Sequence, residues 1–209
     1  MWLSLGCFPE FNDETGKMYQ THTIINEEGN IAAKYRKMHM FDVDLDIAGG
    51  VKQRESETFL AGTQITEPCF SPVGYLGLSI SYDIRFPELY RQLLLKGAQI
   101  LLIPSAFLAK TGSSHWETLL RTRAIENQCY VVASAQCSDT NTLQRFGFGH
   151  SMVVDPWGDI IAQCSDKEGY TLCELDLDYL DNVRANMNCL SHMRTDSLLK
   201  PVEAYRYTF

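Results

Sequence analysis

The chain has 209 residues, 45% of them hydrophobic, and a formal net charge of −8 at pH 7, which suits one globular domain with a substantial apolar core. Because no block of Lys or Arg stands out and no apolar run is long enough to cross a bilayer, the composition argues against nucleic acid and against a membrane as partners. The seven scattered cysteines form no Cys-x-x-Cys pair, which favours reduced thiols in a cytoplasmic protein over a disulfide framework or structural zinc.

The first third of the chain is predicted to be mostly β-structure. An apolar strand is expected over residues 1–8 without a polar lead-in, so we expect it to lie in a core and to lack material on its amino side. That would leave a sheet edge and apolar surface exposed. Residues 19–26 and 31–35 flank a turn and predict a hairpin. A long loop is then expected to about residue 72, and loops of this length are often functional.

An α/β pattern follows. Residues 74–81 alternate apolar with small or polar side chains and predict a strand, Pro87 fits the first position of a helix, and residues 98–104 form an apolar run. This order predicts a parallel βαβ unit. Ser114 and Glu117 have capping-box spacing, which predicts a helix from 114 to 128. Further strands are expected over 129–136, 147–154, 160–164 and 170–175, with a helix over 177–187 and an extended tail.

Ser81 ends the alternating strand directly before a helix, and this is where open α/β sheets commonly carry their chemistry. Common motifs are absent there: Ser81 itself replaces the final glycine of a Gly-x-Ser-x-Gly elbow, and no phosphate-binding loop or complete dinucleotide fingerprint occurs. The five histidines lie far apart in the sequence, so no metal site is predicted, and no cofactor is expected.

Five segments together resemble one known family. They are YRKMHMFD at 35–42, ESET at 55–58, GLSISYDIRFPEL at 77–89, HWETLLRTRAIEN at 115–127 and GHSMVVDPWG at 149–158. They are similar to the nitrilase superfamily of carbon–nitrogen hydrolases, and most of all to its Nit branch. The resemblance implies an α/β fold, an α-β-β-α sandwich in a single domain over residues 1–209. It also implies that this domain is incomplete at its amino end, where the first strand and helix are lacking.

The resemblance also implies a chemistry. In this family a glutamate base activates a cysteine that attacks an amide carbonyl, while a lysine and a backbone N–H hold the oxyanion and a further glutamate supports the lysine. Lys37 matches the lysine and Glu55 the supporting glutamate, whereas Ser81 occupies the place of the cysteine. The base lies on an earlier strand of the family, so no residue is assigned to it. A serine hydroxyl is far less acidic than a thiol of pKa about 8.5 and would be activated poorly by such a base.

Four residues are predicted to bind the substrate. Tyr82 matches the residue whose backbone N–H lines the oxyanion hole, and Phe107, Thr111 and His115 follow the strand that ends at residue 104. For Phe107, ordinary packing in the core is an equally good interpretation. From the residues alone, Lys37 would instead belong to a solvated basic face and Glu55 would be loop charge.

Other charged residues in the matching segments have structural interpretations. We predict that Asp83, Arg85 and Glu88 form an ion-pair set rather than act as catalysts. Glu117 would cap its helix, and Glu126 would pair with Arg123.

Several functions stay open. The first is an amidase that hydrolyses the non-peptide amide of a small carboxylic acid, with deaminated glutathione as the expected substrate and ω-amidase activity as an alternative. The second is an inactive relative that keeps the sandwich for dimerisation or ligand binding, and the third is a hydrolase with Ser81 as a working nucleophile. A homodimer or higher homo-oligomer is expected by resemblance. The cytoplasm is the expected compartment, and a mitochondrial location stays open.

Overall fold

Two β-sheets face each other in the computed structural model of the chain, which describes residues 1–45, 51–137 and 147–194. In chain order the strands are β1 (Leu3–Phe11), β2 (Met18–Ile25), β3 (Ile31–Arg36), β4 (Asp42–Leu45), β5 (Val51–Arg54), β6 (Phe59–Leu60), β7 (Cys69–Ser71), β8 (Gly74–Leu78), β9 (Ile100–Leu102), β10 (Tyr130–Ala133), β11 (Met152–Val154) and β12 (Ile160–Gln163). The helices are α1 (Pro87–Leu95), α2 (Ala109–Asn127), α3 (Leu177–Asn186) and α4 (Cys189–His192).

The larger sheet has the order β12-β11-β10-β9-β8-β7 and carries the parallel unit predicted from the sequence. Strands β8, β9 and β10 run parallel, and α1 connects the first two of them. Pro87 stands at the first turn of α1, where its missing N–H costs nothing. The core lies largely in this sheet and under its helices, with members such as Leu78, Leu93 and Leu101.

The smaller sheet covers the other face of the larger one, so the described residues form α, β and β layers of an α/β sandwich. It has the order β1-β2-β3, with β6 beside β2, and the antiparallel β2-β3 pair confirms the predicted hairpin. The two sheets meet through the fully buried His22, whose Nδ1 lies 3.0 Å from the carbonyl oxygen of Ser79. This contact brings the second strand of one sheet to the end of β8 in the other.

Strand β1 is an edge strand of the smaller sheet, and its side chains are mostly exposed. The expected strand is present and reaches further than predicted, but its placement in a core is wrong, because Leu3, Leu5 and Phe11 face solvent. Gly6 has a φ of +68°, and a Cβ there would lie 3.3 Å from the Cβ of Pro104. Glycine therefore permits the irregular turn by which β1 approaches the end of β9.

The long loop expected up to residue 72 is wrong, because that region carries β4 to β7 and a short 3₁₀ helix at Glu55–Glu57. β4 and β5 pair antiparallel, and the 3₁₀ helix is fastened to β4 because the Asp42 carboxylate accepts hydrogen bonds from the backbone and hydroxyl of Ser56. β4 alternates polar and apolar residues over only four positions, the shortest run by which a strand is identified, and β5 has three polar residues in succession. Residues 46–50, which the expected loop included, lie outside the described residues.

Helix α2 begins at Ala109, five residues before the predicted start. Ser114 therefore lies inside the helix, and the capping-box interpretation of Glu117 is wrong. Glu117 instead pairs with Arg121 one turn later, at 3.3 Å. The predicted pair of Arg123 and Glu126 is confirmed, with 2.7 Å between the guanidinium and the carboxylate.

The last third departs from prediction in three places. β11 starts only at Met152, because Gly149 and His150 both have positive φ angles and interrupt the extended backbone. Residues 170–175, expected to form a strand, have no ladder partners among the described residues; residues 170–174 are exposed, and Leu175 packs partly buried against the core. The expected tail instead contains α4, and its residues 195–209 lie outside the described part. Within the described ranges, no helix is both long and apolar enough to span a bilayer.

Candidate active site

Ser81 lies at a sharp turn after β8. The predicted strand through residue 81 is too long, because the ladder ends at Leu78 and Ser81 starts a 3₁₀ helix that runs to Arg85. Its φ is +46°, a conformation that non-glycine residues adopt at a cost of roughly 1–2 kcal/mol. The Ser81 N–H donates to the carbonyl oxygen of Pro104 at 2.9 Å, which holds the strained turn against the end of the neighbouring strand. Strain of this kind tends to occur at functional positions.

The turn opens into a cavity of about 540 Å³ between the two sheets. Lys37 and Glu55 line this cavity together with Ser81, so the structure brings together the three residues that the sequence assigned to catalysis. They come from three separate places, namely the end of β3, the 3₁₀ helix after β5 and the turn after β8. The site is therefore assembled entirely from long-range contacts.

Lys37 is buried, with only 1% of its side chain exposed, so its interpretation as part of a solvated basic face is wrong. Its Nζ donates to Oε2 of Glu55. The neighbouring Lys34 and Arg36 point to the other side of the smaller sheet, where both bind Glu10 at 2.7 and 2.8 Å. Alternation along an extended backbone thus separates one inward lysine from two outward basic residues.

Glu55 is held by three hydrogen bonds, which excludes the interpretation as ordinary loop charge. Besides Lys37, its Oε2 accepts from the backbone N–H of Phe41 at 2.8 Å, and its Oε1 accepts from Nε2 of Gln20 at 3.2 Å. These donors hold the carboxylate in place and direct it toward the lysine. The arrangement keeps the buried ammonium paired, which a charge inside a protein requires.

The predicted substrate residues divide into three that line the cavity and one that does not. Tyr82, Phe107 and Thr111 lie on its wall, whereas His115 is exposed on α2 and is not among the described residues that line it. Phe107 also packs on Trp116, with ring centroids 4.9 Å apart, so packing and lining are both part of its role.

The backbone N–H of Tyr82 lies at the start of the 3₁₀ helix. The first bond across this helix is from Asp83 N–H to the Ile80 carbonyl oxygen, at 3.0 Å, so the N–H of Tyr82 precedes the helical ladder. Groups at this position have no acceptor within their own helix. The N–H is therefore suited to an oxyanion formed beside position 81.

Arg85 is the cavity residue that sequence reasoning placed wrongly. The predicted ion-pair set does not form: Asp83 binds His39, Glu88 is exposed on α1, and Arg85 has no carboxylate within 4 Å among the described residues. Its guanidinium lies 5.5 Å from the ring centroid of Phe107 and 3.3 Å from Nδ1 of His115. Burial lowers the pKa of Arg85. The signal available in the sequence was its position in the same turn as Ser81.

Cys7 also lines the cavity, and the sequence did not indicate it. It follows Gly6 in β1, and its Sγ lies 3.8 Å from Oε1 of Gln20. Burial of the sulfur raises the pKa of the Cys7 thiol to about 11, against the opposing influence of the positive charge of Lys37. The thiol is therefore neutral at physiological pH and is a poor nucleophile.

Comparisons with known proteins agree with this geometry. Residues 1–185 match the family described as carbon-nitrogen hydrolase. The chain is 49% identical over 197 residues to the nitrilase and fragile histidine triad fusion protein NitFhit of Caenorhabditis elegans, covering 94% of this chain and 44% of that protein. It is 47% identical over 199 residues to deaminated glutathione amidase of Bos taurus, covering 94% and 60% of the two chains. The chain thus spans about half the length of these relatives.

Solved structures give the same result. The crystal structure of C. elegans NitFhit matches with a TM-score of 0.88 and 47% identity, over 96% of this chain and 48% of that one. Saccharomyces cerevisiae Nit3, a member of branch 10 of the nitrilase superfamily, matches with a TM-score of 0.79 and 33% identity, over 99% and 66% of the two chains. The family match covers most of the sequence, and the chain belongs to the carbon-nitrogen hydrolases of the nitrilase superfamily.

Proposed function

We propose that the cavity is the active site of an amidase that hydrolyses the amide of a small carboxylic acid. The observation that carries this proposal is the meeting of the buried Lys37–Glu55 pair with the strained turn at Ser81 on one cavity wall. An ammonium and a free backbone N–H beside a nucleophile position are the donors that acyl transfer needs. Neither a metal nor a cofactor has a part in this chemistry.

The proposed reaction proceeds through an acyl-enzyme. The side chain at position 81 loses its proton to a base and attacks the amide carbon, and the carbonyl oxygen becomes an oxyanion held by the Lys37 ammonium and the Tyr82 N–H. The C–N bond breaks as the nitrogen takes up a proton and leaves as ammonia or an amine. Water then cleaves the acyl group and releases the acid. Glu55 does not serve as the base in this scheme, because its oxygens already accept three hydrogen bonds.

The position of Arg85 in the cavity favours a substrate that carries a negative charge. A guanidinium in a cavity, without a carboxylate partner among the described residues, is suited to bind a carboxylate of the substrate. Such a group would anchor the acid end of the molecule while its amide lies at position 81. Deaminated glutathione carries carboxylates, and the name of the bovine relative supports it as the substrate. The amide of a short dicarboxylic acid, as in an ω-amidase reaction, has the same chemistry and is the alternative substrate.

The test compares the chain with its Ser81→Cys variant on deaminated glutathione and on glutaramate, with acid product quantified by mass spectrometry. We expect Ser81→Cys to hydrolyse the amide faster, because a thiol is more acidic and more nucleophilic than a hydroxyl. Adding Lys37→Met should lower that rate by about 100- to 1,000-fold, the usual effect of removing an oxyanion donor. Absence of product with both substrates, from every variant, would refute the amidase.

A second candidate function is ligand binding without turnover, and Ser81 is the observation that favours it. The hydroxyl is a weak nucleophile, and Glu55, the carboxylate beside the Lys37 ammonium, is occupied as a hydrogen-bond acceptor. Titration calorimetry with glutaramate would then show binding while no acid is released. An acyl adduct on Ser81, detected by mass spectrometry after incubation with the amide, would instead establish the serine as a working nucleophile. Sedimentation of the same sample would test the homodimer or higher homo-oligomer that the family resemblance implies.

A further inference from the structure

A carboxylate that takes no direct part in the proposed chemistry lies two residues after Ser81. Asp83 is fully buried, and its two oxygens accept four hydrogen bonds. Oδ2 accepts from the hydroxyl of Tyr35 at 2.8 Å and from the backbone N–H of Ile80 at 2.9 Å. Oδ1 accepts from the backbone N–H of His39 at 3.2 Å and from its Nδ1 at 2.7 Å. Each oxygen therefore has two partners.

These partners lie on both sides of Lys37. Tyr35 and His39 are two residues before and two residues after it, and both are bound to the same carboxylate in the nucleophile turn. Burial and the negative charge of Asp83 raise the pKa of Tyr35 far above its usual value, so its hydroxyl remains a donor. The ring of His39 is fixed further by stacking on Phe86, with centroids 3.7 Å apart.

The backbone of Lys37 is also held within this frame. Its N–H donates to the carbonyl oxygen of Gln20 at 2.9 Å, and its own carbonyl oxygen accepts from Gly62 at 2.7 Å. These bonds attach the lysine to the smaller sheet. The hydrogen bonds of Asp83 connect this segment with the turn of the larger sheet on which Ser81 lies, and the stacking of His39 on Phe86 is a second contact between them.

We propose that Asp83 is a positioning residue that sets the distance between the ammonium of Lys37 and the side chain at position 81. This inference rests on the proposed function, because that distance matters for an oxyanion and a nucleophile. A carboxylate that only stabilised the turn would need the Ile80 N–H alone. The additional bonds to Tyr35 and His39 join the two elements that carry the reacting groups. Misplacement by about 1 Å can cost an enzyme roughly 100-fold in rate.

The test uses the thiol introduced by Ser81→Cys as a local reporter. Its rate of alkylation by iodoacetamide, followed by peptide mass spectrometry from pH 5 to pH 10, gives the pKa of that thiol. A nearby ammonium lowers a thiol pKa, so the midpoint reports how close Lys37 is. The ionisable groups lining the cavity stay unchanged in all variants compared: Cys7, Lys37, Glu55, Tyr82, Arg85 and Cys137. Turnover of an amide is not required.

Tyr35→Phe and Tyr90→Phe form a matched pair for this measurement. Both tyrosines are fully buried, and each donates one hydrogen bond, from Tyr35 to Asp83 and from Tyr90 to Oγ of Ser79 at 2.9 Å; the Tyr35 hydroxyl in addition accepts from the backbone N–H of Met38 at 3.2 Å. We expect Tyr35→Phe to raise the midpoint of the Ser81→Cys thiol by about 0.5–1 pH unit, while Tyr90→Phe leaves it in place. Equal midpoints in the two variants would overturn the proposal.

A second pair serves if Tyr35→Phe does not fold. His39 is partly exposed, and His39→Ala removes the Nδ1 donor, whereas His39→Asn restores a side-chain N–H near the same place. We expect His39→Ala to raise the midpoint and His39→Asn to return it toward that of Ser81→Cys alone. If His39→Ala and His39→Asn give the same thiol midpoint, the proposal is also overturned. If the midpoints shift as expected while no amide is hydrolysed, the positioning role stands and the amidase function fails.

Discussion

Lys37 and Glu55 form a buried ion pair although 18 residues separate them in the sequence. Only 1% of the lysine side chain and 11% of the glutamate side chain are exposed, so each charge depends on the other more than on water. The pair connects the end of β3 to the 3₁₀ helix after β5. It therefore stabilises the polar region after residue 42 and holds the proposed oxyanion donor in the cavity.

Removing one partner of this pair should destabilise the chain strongly. Lys37→Met keeps the length of the side chain but leaves the Glu55 carboxylate without its ammonium. We expect the free energy of unfolding to fall by about 3–5 kcal/mol, the usual cost of an uncompensated buried charge. Urea denaturation followed by circular dichroism measures it.

Two variants control this prediction. Lys34→Met is the same substitution at an exposed lysine bound to Glu10, and it should cost no more than about 1 kcal/mol. The double variant Lys37→Met with Glu55→Gln should recover part of the loss, because no isolated charge remains. Equal losses for Lys37→Met and Lys34→Met would show that Lys37 is not buried with its partner.

The strained turn at Ser81 predicts an unusual response to glycine. Glycine adopts a φ of +46° without the Cβ clash, so Ser81→Gly should raise the free energy of unfolding by up to about 1 kcal/mol. Ser81→Ala removes the hydroxyl but keeps the Cβ, and it should bring no such gain. In an ordinary helical position glycine destabilises by about 0.5–1 kcal/mol relative to alanine. If Ser81→Gly is more stable than Ser81→Ala, the turn is strained; if it is less stable, the turn is not strained.

Much of the α/β frame follows from local pattern. The alternating strand before Ser81, the proline at the start of α1 and the apolar run of β9 are signals that depend on neighbouring residues alone, and the structure has all three elements. β4 and β5 were not predicted because each has only four residues, β5 is mostly polar, and the two form a separate two-stranded sheet. The start of α2 was missed because Leu108 provides no side-chain cap.

The structure brings most of the predicted site residues to one cavity, but it leaves out His115 and adds Arg85 and Cys7, and their surroundings could not be predicted from the sequence. The resemblance indicated Lys37 and Ser81, yet only the structure distinguishes the buried Lys37 from the outward Lys34 and Arg36. The sequence predicted an ion pair between Arg85 and Asp83, which is two residues away. This ion pair does not form, because the Asp83 carboxylate accepts hydrogen bonds from Tyr35 and His39, which lie more than 40 residues earlier. Such competition between local and distant partners is not visible in a sequence.

The buried histidine between the sheets predicts a loss of stability in mild acid. Burial lowers the pKa of His22 from its usual 6.5 to about 4, although the carbonyl of Ser79 favours the protonated ring. The unfolded chain therefore binds a proton more readily than the folded chain between these values. The contribution of the neutral, buried His22 ring to stability is fully present above pH 6.5 and is lost as the pH falls toward 4. This group should lower the free energy of unfolding by about 2 kcal/mol between pH 7 and pH 5.

The pKa itself can be measured by NMR titration of the imidazole carbon protons. We expect the His22 signals to stay constant down to about pH 5, because burial disfavours the protonated ring and lowers its pKa to about 4. A His22 midpoint near 6.5 would contradict the burial on which the prediction depends.

Arg85 predicts that the cavity discriminates in favour of carboxylates. Arg85→Met removes the guanidinium and keeps an extended apolar side chain that can still contact Phe107. A charged hydrogen bond contributes about 1.5–3 kcal/mol, so the dissociation constant for glutarate should rise roughly 10- to 100-fold. Binding of propionamide, which has no carboxylate, should change little. Titration calorimetry with both ligands gives the two ratios.

The matched control for this prediction is Arg91→Met on α1. Arg91 is not among the described residues that line the cavity, so its replacement changes the net charge equally without touching the ligand. Glutarate should therefore bind to Arg91→Met as it binds to the unaltered chain. If both variants lose affinity alike, the overall charge attracts the ligand. If Arg85→Met weakens propionamide as much as glutarate, Arg85 shapes the cavity and does not recognise the carboxylate.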